Sequence, residues 1–230
     1  MQSASLREEV LAANVALPAH GLVTLTWGNA SAIDRSTGLV AIKPSGVPYA
    51  ELTAADLVVV DLDGNIVDGS RRPSIDTPTH LALYGAFDGI GAIVHTHSTW
   101  ATVWAQAQRE IPLLGTTHAD LSPHPIPLTR QLTAAEIDAD YERSTGTVLI
   151  EVIQEHGPAE TPCALVRGHA PFCWGATVAA AVESAVTLEE VARMALFTML
   201  LDADVPPLAG AVRGKHFTRK HGPHAYYGQP

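Results

Sequence analysis

Apolar positions along the chain fall into two patterns, runs at helical spacing and short unbroken stretches bounded by turn residues, which read as helices and buried strands in alternation. Ser5-Leu6-Arg7-Glu8 has capping-box spacing, and Leu6, Val10, Leu11, Asn14 and Val15 continue an amphipathic helix until Pro18 and Gly21. Leu22 to Thr26, Ala30 to Ile33 and Leu39 to Ile42 read as short strands. Thr53 to Asp56 opens a helical turn, and Val58 to Leu62 pairs with Ile66-Val67 across the hairpin dipeptide Asp63-Gly64. Thr77 is the expected N-cap of a helix with Pro78 at its first position, running to about Phe87. Ala92-Ile93-Val94 follows Gly91 as a buried strand ending in His95-Thr96-His97.

Ser98 then caps a helix with an expected core stripe of Trp100, Val103, Trp104 and Ala107. Gly115 to Asp120 reads as a loop unusually rich in polar groups, and Ser122 to Pro127 as irregular. Thr133-Ala134-Ala135-Glu136 is a second capping box, and Val148 to His156, closed by Gly157, a further helix. Ala164 to Val166 is another buried strand leading to Gly168-His169, and Val178 to Leu201 a long amphipathic helix. The tail from Lys215 to Gln229 gathers cations and two tyrosines, a composition that favours docking, against a neighbouring subunit or over the site, in place of a frayed end.

Length and charge narrow the class. The 230 residues fit one large domain spanning 1–230, with no compositional break that marks a linker. A net charge of −10 with scattered acids excludes a nucleic-acid surface. Met1 leads into Ser3, Glu8 and Glu9 without an apolar signal core, and no uncharged stretch is long enough for a bilayer, so a soluble cytoplasmic protein with no membrane partner is expected. Cys163 and Cys173 are too few to staple such a chain and are read as reduced buried thiols, with metal ligation beside His169 as an outside chance.

The chemistry begins with His95 and His97. Two residues apart on a strand they share a face, and neutral imidazoles are common zinc ligands. A catalytic zinc needs a third protein ligand, for which His169 and His118 both stand beside suitable turns. Trp27-Gly28-Asn29 and Lys43-Pro44-Ser45-Gly46 combine glycine with polar donors, as small phosphate sites do. Asp76 precedes a helix, where an acid either complements the dipole or serves a metal.

Taken together, these segments resemble the zinc-dependent class II aldolase and epimerase family, nearly end to end. The resemblance rests on Thr24 to Asn29, Ile42 to Gly46, Asp76 to His80, Ile93 to Ser98, Gly115 to Asp120, and Arg219 to Gly222 with Tyr226 to Gln229. It implies a three-layer α/β/α domain with a central, mostly antiparallel mixed sheet, and a fourfold homotetramer with sites between subunits. It implies metal ligation by His95, His97 and His169 with Asp76 at the metal, which is zinc, although manganese or cobalt also suits such ligands. Gly28, Asn29, Lys43, Ser45, Gly46 and Ser74 match positions that hold substrate and phosphate, and Ile75 stands where a second serine is usual. Asp120 and Tyr227 match a proton acceptor and donor, supported by Thr116, Glu142, His216 and Arg219. Arg167-Gly168-His169-Ala170-Pro171 departs from the usual surroundings of the third ligand but keeps the histidine.

The implied activity is that of the epimerase branch, interconversion of L-ribulose 5-phosphate and D-xylulose 5-phosphate by retro-aldol and aldol steps at C3–C4, as in arabinose catabolism, ascorbate breakdown or another pentose route. The alternative is a sugar-phosphate aldolase of the fuculose-phosphate type, which tends to carry glutamate where this chain has Asp76. The fold also occurs as a non-enzymatic domain in adducin-like proteins, against which the three histidines weigh.

Overall fold

The computed structural model describes residues 3–228; Met1 and Gln229, quoted above, lie outside the described residues. The β-branched and small residues between turns form strands β1 (Asn29–Asp34), β2 (Leu39–Ile42), β3 (Val58–Val60), β4 (Ile66–Asp68), β5 (Ala92–His95), β6 (Cys163–Leu165) and β7 (Pro171–Gly175). They make one sheet in the order β4-β3-β2-β1-β5-β7-β6. Every neighbouring pair of these strands is antiparallel. Among the described residues, parallel pairing is confined to an isolated bridge between Leu128 and Leu165.

Seven α-helices are formed by the described residues, α1 (Ser3–Ala19), α2 (Thr77–Ala86), α3 (Thr99–Gln106), α4 (Thr116–Leu121), α5 (Ala134–Ile153), α6 (Val178–Leu201) and α7 (Gly210–Lys220), with α4 packed on α6 and α7 on α4. Alternate strand residues go to opposite faces. Ala30, Ala32, Ala92, Val94 and Cys173 pack with Leu6 of α1, Trp104 of α3 and Leu188 of α6. Ile33, Ile93, Phe172 and Trp174 pack with Leu83 and Tyr84 of α2 and Leu149 and Ile153 of α5. The result is the expected three-layer α/β/α arrangement.

Two buried polar links fix the layers. Asn14, set in the apolar stripe of α1, receives the Ala30 N–H on Oδ1 at 2.9 Å and donates from Nδ2 to the Ala30 carbonyl at 3.1 Å. On the other face the Ser31 hydroxyl joins His80 Nδ1 at 2.7 Å and the Tyr84 hydroxyl at 2.8 Å. Each satisfies backbone or side-chain groups that would otherwise be buried without a partner.

Several local expectations change. Leu22 to Thr26 is not a strand but a turn, in which Leu25 has φ 54° and is 76 % exposed. Gly115 to Asp120 is not a loop, since Gly115 is the N-cap of α4. The helix read from Val148 to His156 is the last part of α5, which begins at the Thr133–Glu136 capping box, bends at Asp140, where φ is −169°, and ends at Ile153. Asp76 rather than Thr77 is the N-cap of α2; the Thr77 hydroxyl instead donates to the Ser74 carbonyl at 2.6 Å. In α3 the buried residues are Ala101, Trp104 and Ala105, while Val103 and Ala107 are exposed. Ser98 makes no side-chain cap there; Glu189 of α6 accepts the Trp100 and Ala101 N–H groups at 2.9 and 3.0 Å, placing a carboxylate on the helix N-terminus. Strand β7 has no counterpart in the sequence reading. Cys163 and Cys173 face each other across β6 and β7 as buried free thiols, outside the histidine cluster. Lys215 to Lys220 of the basic tail belong to α7, which packs against α4 of the same chain and not on the wall of the histidine cavity.

Candidate metal and phosphate site

His95 closes β5, and its place in the alternation puts the ring on the α2 and α5 side, stacked on Phe172 at 4.1 Å between centroids. Its Nδ1–H donates to the Pro171 carbonyl at 2.9 Å, which fixes the tautomer and leaves Nε2 as the free lone pair. His97 follows the end of the strand, and His169 comes from the turn between β6 and β7, where Gly168 has φ 70°. The three rings are separated pairwise by 5.0, 5.0 and 4.9 Å, and each is steeply inclined to the others. Their nitrogen ligand atoms all lie within 4.8 Å of one another, and His97 Nε2 and His169 Nε2 are 3.2 Å apart. A shared cation satisfies both of those converging lone pairs, so the donor set fits a divalent metal.

The electrostatics agree with ligands in the neutral form. Burial, reinforced by His95 and His97, holds the His169 imidazole at about 4, and burial followed by His95 lowers that of His97. His118, the rival third ligand, is buried in α4 with Nε2 against the His124 carbonyl at 3.0 Å and lies outside the cluster.

Asp76 sits beside the trio, its Oδ2 4.0 Å from His95 Nε2. Burial opposes its ionisation, but the imidazoles of His95 and His80 and the Asn29 amide outweigh this and keep its carboxyl below the usual range. Asn29 donates from Nδ2 to Asp76 Oδ2 at 2.7 Å and to Ser74 Oγ at 2.9 Å. Its Oδ1 is buried with no hydrogen-bond partner, an acceptor suited to a ligand hydroxyl.

These groups share a cavity of about 580 Å³ with Gly28, Lys43, Ser45, Gly46, Ile75 and Glu142. The histidine trio and Lys43 are therefore on walls of one space. Thr26, Trp27 and Tyr141 also line it. Tyr141 was not singled out in the sequence, yet its hydroxyl lies 3.4 Å from His169 Nδ1. Tyr141 directly follows the bend of α5 at Asp140, and no residue pattern announces that bend.

Asp120 and Tyr227 lie elsewhere. They line a second cavity of about 460 Å³, with Thr117, Lys220 and His221, whose walls include none of the three histidines. Thr116 is the first residue of α4. Arg219 grips Asp120 with Nε and Nη2 at 3.0 and 2.6 Å, His216 Nδ1 adds a contact at 3.1 Å, and His221 Nε2 donates to the Asp120 carbonyl at 2.9 Å. Burial opposes ionisation of Asp120, but these hydrogen bonds prevail and its carboxyl is held below the usual range. The Tyr227 ring lies over the Arg219 and Lys220 cations.

Residues 8–196 match the family described as Class II Aldolase and Adducin N-terminal domain, and the chain belongs to that family. Among its relatives is the L-ribulose-5-phosphate 4-epimerase UlaF of Salmonella paratyphi A, 53% identical over 224 residues, 97% of this chain and 98% of the relative. An L-fuculose 1-phosphate aldolase structure shares the fold, with TM-score 0.78 and 24% identity over 92% of this chain and 94% of its own. The L-fuculose-1-phosphate aldolase of Thermus thermophilus superposes with TM-score 0.66 and 27% identity over 88% of this chain and 98% of its own.

Proposed function

We propose that this chain is a metal-dependent epimerase that interconverts L-ribulose 5-phosphate and D-xylulose 5-phosphate. The observation that carries the reading is the single cavity whose walls include His95, His97 and His169 together with Lys43 and Ser45, donors of the kinds a cation and a phosphate need. The 53% identity to an L-ribulose-5-phosphate 4-epimerase over nearly the whole chain supports it. Zinc is the metal we assign, and the cytoplasm, where phosphorylated sugars are retained, the compartment.

The hydrogen on C4 of such a ketose is not acidic, so inversion by simple deprotonation is closed. Breaking and remaking the C3–C4 bond is the open route. The bound divalent ion supplies Lewis-acid polarisation of the ketone. A base takes the proton of the C4 hydroxyl, the C3–C4 electron pair passes into the three-carbon enediolate, and glycolaldehyde phosphate is freed as an aldehyde. After the aldehyde turns, the pair returns to its other face and an acid reprotonates the new C4 oxygen. Lys43, Ser45, Gly46 and Ser74 hold the phosphate on the two-carbon fragment, so it turns without leaving. Asn29 Oδ1 accepts a sugar hydroxyl, and Glu142 lines the same wall. Ile75 contributes its backbone N–H but no hydroxyl.

Asp120, ionised, serves as the proton acceptor and Tyr227 as the donor, on opposite faces as inversion demands. Arg219, His216 and Thr116 orient that pair. Since the pair lines a separate cavity, we assign it to the metal centre of a neighbouring copy, in a fourfold homotetramer with sites between subunits. The test is incubation with L-ribulose 5-phosphate. Accumulation of D-xylulose 5-phosphate is the expected result; free glycolaldehyde phosphate with dihydroxyacetone would mark an aldolase instead, and no consumption would end the reading.

A further inference from the structure

Lys43 is 1 % exposed, and its ammonium reaches only the Thr26 and Pro44 carbonyls, at 3.5 and 3.4 Å. None of the ion pairs among the described residues includes it. A buried cation without a counter-charge is costly, and desolvation lowers its pKa accordingly. Its other neighbour is the ring of Tyr49, whose centroid lies 4.7 Å from Nζ. The Tyr49 hydroxyl donates a shared hydrogen bond to the carbonyls of Trp27 at 2.8 Å and Gly28 at 2.9 Å. Burial raises the phenol well above its ordinary value, so it remains a donor. Gly28 in turn lies so close to β5 that a Cβ there would stand 2.7 Å from the His95 carbonyl oxygen.

Tyr49 is not on the cavity wall, yet it touches both the Lys43 ammonium and the turn that abuts β5. We propose that Tyr49 is the positioning residue of the phosphate cradle. Its ring carries the Lys43 ammonium until an anion arrives, and its hydroxyl holds the Trp27-Gly28 turn at the spacing a phosphosugar needs. This inference rests on the phosphosugar reading above.

The experiment is calorimetric titration of the full-length protein with inorganic phosphate across a pH series, for wild type, Tyr49→Phe, and pentafluorophenylalanine placed at position 49. Both replacements keep the ring's shape and so the packing. Loss of the hydroxyl weakens phosphate binding about two- to twelvefold, the range of one net hydrogen bond, without moving the alkaline limb. Fluorination drains the ring's negative face and, below the alkaline limb, leaves phosphate affinity at the Tyr49→Phe level or tighter, because the ring supports the ammonium before the anion arrives. It also moves the alkaline limb to lower pH, because Lys43 then loses its proton sooner. Asp76, Glu142, Tyr141 and the three histidines, the other titratable groups on the cavity wall, are common to all three proteins and cancel in the comparison.

A limb that stays in place on fluorination, or phosphate affinity unchanged in both variants, overturns the proposal. If wild type turns over L-ribulose 5-phosphate while phosphate binding is unaltered in both variants, this inference alone fails. If the phosphate effects occur in a protein that does not turn that sugar over, the enzymatic reading alone fails.

Discussion

Replacing Gly28 by alanine probes how tightly the Trp27-Gly28 turn is held against β5. Gly28 has φ +77°, and a Cβ there would meet the His95 carbonyl oxygen at 2.7 Å and Thr96 Cα at 3.2 Å, both backbone atoms that cannot swing aside. The left-handed conformation costs an L-residue roughly 1–2 kcal/mol. Overpacking adds roughly 1–3 kcal/mol, for a loss of about 3 kcal/mol. Gly21 is the internal control, with φ +68° and nothing within 4 Å, so Gly21→Ala carries the conformational cost alone. The reduced entropy of the unfolded chain is common to both substitutions and cancels. At roughly 2–4 °C per kcal/mol for a chain of this size, Tm falls by about 6–12 °C for Gly28→Ala and about 2–8 °C for Gly21→Ala. Calorimetry at one fixed protein concentration, on chelator-treated samples, keeps metal and assembly from entering the comparison. Zinc titration then follows, with weaker uptake expected only in Gly28→Ala. Equal losses in the two variants would refute the close approach of turn and strand.

Asp120→Asn and Tyr227→Phe each lose about 10²–10⁴ in turnover by coupled assay while retaining wild-type metal content; near-normal rates remove the residue from the chemistry. Because Asp120 and His97 line different cavities, refolding Asp120→Asn together with His97→Ala restores part of the activity that neither has alone, and no recovery would place both ends within one copy. Glu136 is held at about 2, below its ordinary 4.5, first by the Arg130 hydrogen bond and then by the Thr133 N–H. A depressed acid stabilises the fold above its unfolded value and ceases to do so as pH falls through the folded one. The stability difference between wild type and Glu136→Gln in urea titrations therefore fades across that window. A difference independent of pH would contradict it.

How far the sequence spoke depended on whether a residue's signal was local. Helical periodicity gave α6 its bounds, and Asp63-Gly64 gave the β3–β4 hairpin, because those patterns depend on neighbours in the chain. Thr133 and Glu136 likewise form the capping box their spacing predicts. Strand β7 escaped because Pro171 and Gly175 flank only three apolar residues, and its place between β5 and β6 is decided by pairing across the chain. The short α4 escaped for a related reason: its six residues carry no apolar period, and it is held by packing against α6 and α7. At the site, His95 and His97 were legible from their spacing, whereas the choice of His169 over His118 needed the family resemblance and then the fold. Tyr141 and Tyr49 had no local signal. One directly follows a bend in α5, and the other acts from beneath the cavity wall.

The central claim is that three imidazoles hold a divalent cation on which turnover depends. The direct measurement is to strip the protein with a chelator, add zinc in steps, and record bound metal by elemental analysis beside the rate with L-ribulose 5-phosphate. Activity that vanishes on stripping and returns in proportion to occupancy, reaching its plateau at one ion per chain, is the expected result; full activity in metal-free protein would contradict it.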